Sequence, residues 1–496
     1  MLTLLLRLSQ RQQGPRVQRG QALPFTLAFA AVTGLVVLLL FNSSQLANTK
    51  TVLQNAADAG AYSAAVLQAR DHNFSAYTNR AIIANQVAVA QFVSLKSYLD
   101  DAKETQNRIK SFPISFYEYF PTAKPIWDLG KRMPVSSAQS IVSKMAPIAV
   151  KGLDKLIWAL ETAQDLHHKT TLAEALLVAD EVVKKNDPDA SMVKGAFMVG
   201  VSLVQVNKWD GYTKRHPANT EAIEADRFAK VVVKDENSTD KFTRNRSGVP
   251  SPFWISPVRL CPGVSLTVFG FYHAGGTRLS RNKKHWLGLD ATQGGGFALC
   301  VIPGTPPVTI FVPLLDIGRS GGALAGKNTS YDEGYKYNHP DSNRYGGARN
   351  IPPGILRYSK GLGSTLDAKG GLQDYYRDVA DTKKTPVNQA SESNSAPVIT
   401  IEVERKTSTV RLSSDLLPDL ENIRLDDKTK GKTMRTLASA QTYFYRPKEN
   451  SSAFTRKNWR RNDGKTEMAS LFSPYWQARL VDTPVGETAL SFALQN

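Results

Sequence analysis

The stretch Arg16–Leu67, RVQRGQALPFTLAFAAVTGLVVLLLFNSSQLANTKTVLQNAADAGAYSAAVL, decides the architecture of this chain. It opens with basic residues and then runs from Ala22 to Phe41 without an ionisable side chain. A bilayer core takes a helix of about 20 apolar residues, which this run supplies. Pro24 falls in the first turn, where its missing N–H costs little. Ala22, Pro24, Phe25, Leu35, Leu40 and Phe41 mark the predicted membrane anchor. Arg7, Arg11, Arg16 and Arg19 precede it, and no acid appears before Asp58. By the positive-inside rule the basic arm, residues 1–20, stays in the cytoplasm, and the chain after the 21–41 span lies across the membrane. A cleaved secretory signal has a shorter apolar region of about 7–15 residues and a small-residue cleavage site. Here Asn42, Ser43 and Ser44 continue the helical pattern, so the anchor is read as uncleaved.

No proline interrupts the sequence beyond the anchor, and small residues dominate it. Leu46, Leu53, Gly60 and Leu67 recur every seven residues, with Ala56, Ala57 and Ala64 at the intervening steps. Such a stripe lets another helix approach closely. Spacing alone favours an intramolecular helix pair over lateral packing against identical or related subunits.

Three segments of this sequence resemble a known family. Arg19-Gly20-Gln21-Ala22, the apolar span and Leu53-Gln54-Asn55-Ala56-Ala57-Asp58-Ala59 look like the N-terminal module of the TadG/TadE-like proteins of bacterial tight-adherence (Tad, or Flp) pilus assembly systems. Tyr77-Thr78-Asn79-Arg80-Ala81, continuing through Val87 to Gln91, resembles the longer members. So does Leu471-Phe472-Ser473-Pro474-Tyr475-Trp476-Gln477-Ala478-Arg479-Leu480. The resemblance implies a single-pass protein of the bacterial inner membrane with a periplasmic or extracellular domain. It implies pilus assembly or pilin-like subunits as partners, a homo-oligomer among them, and it makes the stripe an assembly surface. Members processed by prepilin peptidase carry a Glu shortly after the cleavage-site glycine. Gly20 is followed by Gln21-Ala22-Leu23-Pro24-Phe25, so retention of the arm is expected. The DxSxS metal motif of von Willebrand A-type domains, found in some large members, does not occur here, and no metal site is carried over.

The remaining sequence predicts an α+β protein: a transmembrane helix continuing into a long helix, a helical bundle, then an antiparallel β-rich C-terminal region. Asp71, His72 and Asn73 are expected to break the first helix, and a second, apolar on most sides, is expected from Phe74 to Lys110. Phe112 to Pro134 reads as a loop. Helical patterns return from Ser137 to Val206, with Thr171 and Glu174 as a capping box and Asp187-Pro188 as a helix start. A further helix is expected from Thr220 to Val233. Residues 42–245 thus read as an up-and-down bundle around the second helix. Residues 246–496 carry strand signals on both sides of a Gly-, Asn- and Tyr-rich loop at about 318–395, and one shared sheet is expected. Cys261 and Cys300 lie in neighbouring strand-like segments, and in an oxidising compartment they are expected to close a disulfide; two buried free thiols are the other outcome.

No chemistry-bearing motif is complete. Gly318-Arg319-Ser320-Gly321-Gly322 matches GxSxG after a strand-like run, but a nucleophile elbow needs a following helix and a later Asp and His. Gly321 to Gly326-Lys327 has P-loop spacing, but Asn328 stands where magnesium needs Ser or Thr. Asp332, Glu333, His339 and Asp341 share a polar loop, and His167-His168 point to different faces of a helix. No enzyme activity and no cofactor are expected. The chain of 496 residues carries 62 Lys and Arg against 44 Asp and Glu, a formal charge of +18 that favours anionic partners. The basic residues are scattered, and no helix-turn-helix, zinc-finger or RNP pattern supports specific nucleic-acid binding. The charge carries a second functional reading: an envelope-anchored protein whose basic outer surface holds a polyanion or the cell wall.

Overall fold

A computed structural model describes residues 22–111, 124–218, 222, 226–234, 238–246, 254–256, 264–279, 283–301, 304, 308–315, 321–326, 364–366, 372–377, 395–413, 432–446 and 469–494. Its spine is α1, Ala22–Ser111, a single helix of 90 residues. At 1.5 Å per residue it is about 135 Å long. Then come α2 (Lys124–Arg132), α3 (Val135–Asn186) and β1 (Ala190–Met192). A π-helical turn at Met198–Ser202 leads into α4 (Leu203–Tyr212), succeeded by β2 (Arg215–His216), α5 (Arg227–Lys234) and the short α6 (Lys241–Arg244). The β-rich part comprises β3 (Trp254–Ser256), β4 (Val264–Leu279), β5 (Trp286–Val301), β6 (Val308–Leu315), β7 (Gly321–Ala325), β8 (Ser364–Thr365), β9 (Tyr375–Tyr376), β10 (Ser395–Lys406), β11 (Thr433–Phe444) and β12 (Trp476–Val481). The helix α7 (Val485–Ala493) closes it. The α+β class and the order of helices before strands are as the sequence predicts.

The expected break at Asp71-His72-Asn73 is absent: tertiary hydrogen bonds hold Asp71 and Asn73, and aromatic rings enclose His72, inside a continuous helix. Asp71 Oδ2 accepts from His168 Nδ1 at 2.7 Å and from Trp209 Nε1 at 3.2 Å. Asn73 pairs in both directions with the backbone of Trp476, at 2.9 and 3.0 Å. His72 sits among the rings of Trp209, Tyr212 and Trp476. A helix turn costs nothing extra when its polar groups are already paired elsewhere.

α3 runs antiparallel to α1. Gln139 bonds to Asp100 and Lys103 at one end, Gln164 bonds to Ser75 and Asn79 midway, and Val183 meets Gly60 at the other. The outer surface of α3 carries the i,i+4 pairs Asp165–Lys169, Asp180–Lys184 and Glu181–Lys185, which add a little support to an exposed helix. Three expectations for this part are corrected. The 112–134 region contains a helix, α2. Thr171 lies inside α3, its hydroxyl donating to the His167 carbonyl, and caps nothing. Asp187 ends α3 instead of starting a helix, and its carboxylate takes Arg405 Nη1 on both oxygens at 2.9 Å. The chain turns there into β1, which joins a sheet.

The β-strands form two main sheets where one was expected. One has the order β1-β10-β11-β12, all antiparallel. The other has the order β3-β4-β5-β7-β8, with β6 also on β5. β2 and β9 make a separate pair. The reason is the length of α1, along which the sheets dock in succession. Thr442 on β11 donates to the Ala65 carbonyl, whereas Gly288 on β5 abuts Ser97. Two cores result. The nearer joins Leu53, Ala57 and Ala64 to Ala179, Val183, Ile399 and Ile401. The farther joins Ile82, Val89 and Val93 to Val150, Phe228 and Trp286. Each core takes residues from both sides of position 245, so the helical and β-rich regions share their interiors. The helices form one long pair faced by sheets, in place of the expected up-and-down bundle.

Candidate functional site

The anchor residues Ala22, Pro24, Phe25, Leu35 and Leu40 are exposed and Phe41 is half-buried. Phe25 is 77% exposed and Leu40 63%. An apolar surface of this extent is far larger than a soluble monomer leaves in water. None of the apolar window of α1 is covered by the rest of the chain, which excludes a core helix. Among the described residues this is the one helix long and apolar enough to cross a membrane, consistent with a single-pass anchor near the N-terminus. The basic arm before it lies outside the described residues.

The small-residue stripe faces inward. Leu53, Ala56, Ala57 and Ala64 are fully buried, Gly60 is buried, and Leu46 and Leu67 are half-buried. A Cβ on Gly60 would lie 2.7 Å from Val183 Cγ2, 2.9 Å from Ile401 Cδ1 and 3.0 Å from the Ala179 carbonyl oxygen. The close approach that small residues permit is therefore used by α3 and β10 of the same chain.

The two other segments singled out by resemblance meet in space. Asn79 Nδ2 donates to the carbonyls of Tyr376 at 2.7 Å and Leu471 at 2.8 Å, and Arg80 Nε donates to the Phe472 carbonyl. Asn73 holds Trp476 at the start of β12. The C-terminal LFSPYW turn is thus tied to the middle of α1 by three side chains within two helical turns. α7 is tied down in turn: Ser491 Oγ donates to Glu402 Oε1 at 2.6 Å, and Gln205 Nε2 donates to Glu487 Oε1 at 2.6 Å.

Beside this junction lies a buried histidine pair. His168 donates to Asp71 and lies 3.2 Å from Asp210 Oδ1. Burial disfavours its charged form, but the bonds to Asp71 and Asp210 outweigh it and its pKa is raised. His72 behaves oppositely. Burial among aromatic rings lowers its pKa to about 4, against the pull of Asp71. Neither ring nitrogen of His72 has a hydrogen-bond partner.

The far end of α1 holds the most polar interior and a cavity of about 630 Å³. Arg246 grips Asp290 through Nε and Nη2, both at 2.7 Å. Ser97 donates to the same carboxylate, and His273 Nε2 lies 3.1 Å from it. On its other side His273 Nδ1 meets Thr292 Oγ1 at 2.9 Å, and that hydroxyl donates to Asp101 Oδ2 at 2.6 Å. Gly275 makes room for the cluster, since a Cβ there would lie 1.8 Å from Asp290 Oδ1. Burial works against a charged His273, but its two carboxylate neighbours, Asp101 and Asp290, raise its pKa to about 9. Burial pushes Asp101 up, although bonds to His273 and Thr292 pull the other way. Asp101, Arg246, His273 and Thr292 form one end of the cavity, and its body is lined by apolar side chains such as Leu99, Ile109, Met133 and Val135. Sequence inspection missed this constellation because its members come from α1, the segment after α6, and the paired strands β4 and β5.

The motif candidates do not converge. Ser320, His339, Asp332, Glu333 and Asp341 lie outside the described residues. Directly after position 320 the chain forms the strand β7, not the helix that a nucleophile elbow or a P-loop requires. Among the described residues no group of three or more His, Cys, Asp or Glu is arranged to hold a metal ion. Cys300 lies on β5 opposite Ser265 and Val308, while Cys261 falls outside the described residues, so the expected disulfide is not described.

The comparisons with known proteins agree with the geometry of the anchor. Residues 20–69 match the family model described as putative Flp pilus-assembly TadE/G-like. The match covers the apolar span and the first buried turns of α1. No curated protein and no solved structure matches the chain.

Proposed function

We propose that this chain is a membrane-anchored, non-catalytic component of a tight-adherence-type pilus system, acting in assembly or as a minor pilin-like subunit. The observation that carries this is the coincidence of the Tad-type match, residues 20–69, with a helix whose first part is wholly exposed and apolar and whose continuation is built into a large domain. The anchor spans the bacterial inner membrane once, with the basic arm in the cytoplasm and the domain in the periplasm or beyond. Pilus assembly or pilin-like subunits are its partners. Because the stripe on α1 is occupied by α3 and β10, those partners meet the outer surface of the domain or the lipid-embedded helix. The non-catalytic assignment is supported by the polar clusters, whose charged groups are engaged mainly with one another.

Deleting the gene tests the proposal. The expected outcome is normal levels of major pilin with pili absent or fewer, restored by the full chain but not by a variant lacking residues 1–41. Normal piliation and adhesion in the deletion strain would overturn it. The charge of +18 carries the alternative of a polyanion-holding envelope protein. Normal pili together with salt-sensitive capture of a soluble polyanion would decide for that reading.

A further inference from the structure

The outward face of α3 is apolar where an exposed helix face is ordinarily polar. Positions 141, 145, 148, 152, 156, 159, 163, 166, 170, 173 and 177 succeed one another at steps of three and four, none carries a charge, and all are exposed. The steps average one helical turn, so these residues form a single straight stripe about 54 Å long at 1.5 Å per residue. Its large members, Ile141, Met145, Ile148, Leu156, Leu166 and Leu177, are between 48% and 70% exposed. Among them Gly152, Ala159 and Ala163 keep the surface low, and a Cβ on Gly152 would meet nothing within 4 Å. The other face of α3 packs on α1 through Gln139, Gln164 and Val183. A continuous apolar strip left over on a domain surface marks an interaction face.

We propose that this stripe binds the same stripe of a second copy of the chain, side by side and in parallel register within one membrane. The anchor dictates the register. Gln139 meets Asp100 and Val183 meets Gly60, so each stripe residue stands at a fixed distance along α1 from the apolar span. Two copies held in one bilayer bring equal positions to equal heights, whereas an antiparallel pair would hold its two spans at opposite ends. Parallel pairing sets Ile148 on Ile148 and Leu166 on Leu166, which an uncharged stripe permits. The flanks agree with it. Lys169 and Glu174 lie on opposite borders of the stripe, both exposed, in the g-to-e arrangement that forms salt bridges across a parallel helix pair. Lys144 and Lys151 share the border of Lys169, so neither is set against its own copy. The area suffices as well. The six large side chains together expose on the order of 700 Å², and a standard stable interface buries about 800 Å² on each partner, which the small residues and flanks complete. This proposal rests on the anchor and not on a role in a pilus.

The test uses the full chain in lipid vesicles, mixed from equal parts of ¹⁴N- and ¹⁵N-labelled protein, with p-benzoylphenylalanine in place of Leu166 as a photo-crosslinker. Irradiation should join differently labelled copies, the bond falling within about one helical turn of position 166 in the partner. Ile148→Lys together with Leu177→Lys should lower the yield at least tenfold. Both sites are exposed, and unchanged hydrogen-exchange protection near Leu53 shows that this variant is folded. If it is not, Lys169→Glu, which sets two acids against each other, should lower the yield about threefold, and adding Glu174→Lys should restore it. No mixed crosslink would overturn the proposal, as would bonds landing elsewhere on α3 or an undiminished yield in the folded double-lysine variant. Equal yield from the same label in place of Val485, 84% exposed on α7, would mark random collision and overturn it too.

Discussion

One helix contains two regions that use hydropathy in opposite ways. From Ala22 to Phe41, α1 is rich in Leu, Val and Phe, and its side chains stand exposed, Phe29 at 75% and Leu40 at 63%. From Thr49 to Ile109 Ala, Gly, Ser, Gln and Asn recur among the buried residues, beside a few larger ones such as Leu53, Ile82 and Val93. The most apolar part is outside and the more polar part is the core. The difference teaches that burial here follows the surroundings available. The first region has only the bilayer as an apolar partner, whereas the second is enclosed by α3 and two sheets, which reward small size and satisfied hydrogen bonds more than bulk.

The comparison can be broken most sharply at the far end of the buried region. Asp290→Ala leaves Arg246 and His273 buried without their shared carboxylate. The expected loss is about 3–5 kcal/mol in the opening free energy of nearby amides by hydrogen exchange, with amides around Leu53 little changed. Equal loss at both places would mean that the two cores open as one.

The exposed region should respond to a different insult. Val32→Arg places a charge near the middle of the span, at a cost to insertion of about 2.5–3.5 kcal/mol. Less protein should be found in the membrane fraction, while exchange protection in the domain stays as it was. Reduced protection near Leu53 would mean that the span supports the core directly.

The two histidines sharpen the buried side through opposite pH responses. His273, raised to about 9 from an ordinary 6.5, contributes stability that is complete below about pH 6.5 and is lost as pH rises through about 9. His72, lowered to about 4, contributes a destabilisation that grows as pH falls from about 6.5 toward 4. Each effect amounts to about 3 kcal/mol. After correction for intrinsic exchange, amides near β4 should weaken at alkaline pH and amides near Asn73 at acid pH. His168, whose shift is upward, works against the acid loss, so His72→Phe is needed to isolate it. Persistence of the acid loss in His72→Phe would remove His72 as its cause.

Gly60→Ala has the smallest expected effect, about 1–3 kcal/mol, because the Val183 and Ile401 side chains can yield in part although the Ala179 carbonyl cannot. It is also the most discriminating. Loss of piliation with undiminished domain stability would return the stripe to an intermolecular role.

Much of the site's framework was legible in the sequence. The span from Ala22 to Phe41 is plain because a long uncharged apolar run has few structural uses. Asn79, Arg80 and Trp476 were singled out by resemblance, though nothing in the sequence said that they touch. Asp71-His72-Asn73 misled, since polar side chains in a helix look like a break until their partners on α3, α4 and β12 are known. The Asp101–His273–Asp290–Arg246 cluster was not legible, because no residue in it lies within a motif and its members are brought together by β4 and β5 against α1.

By itself, the sequence determined the apolar anchor span, the likeness of residues 20–69 to a Tad-type module and the change from helix to strand, because local composition and periodicity act within one segment. Only the tertiary structure decided that α1 runs unbroken, that its small-residue stripe packs against α3 and β10, and that the Asp101–His273–Asp290–Arg246 cluster lies beside a cavity at its far end. Those outcomes depend on what each side chain meets across hundreds of residues, and a buried polar group is stable or costly according to that partner alone.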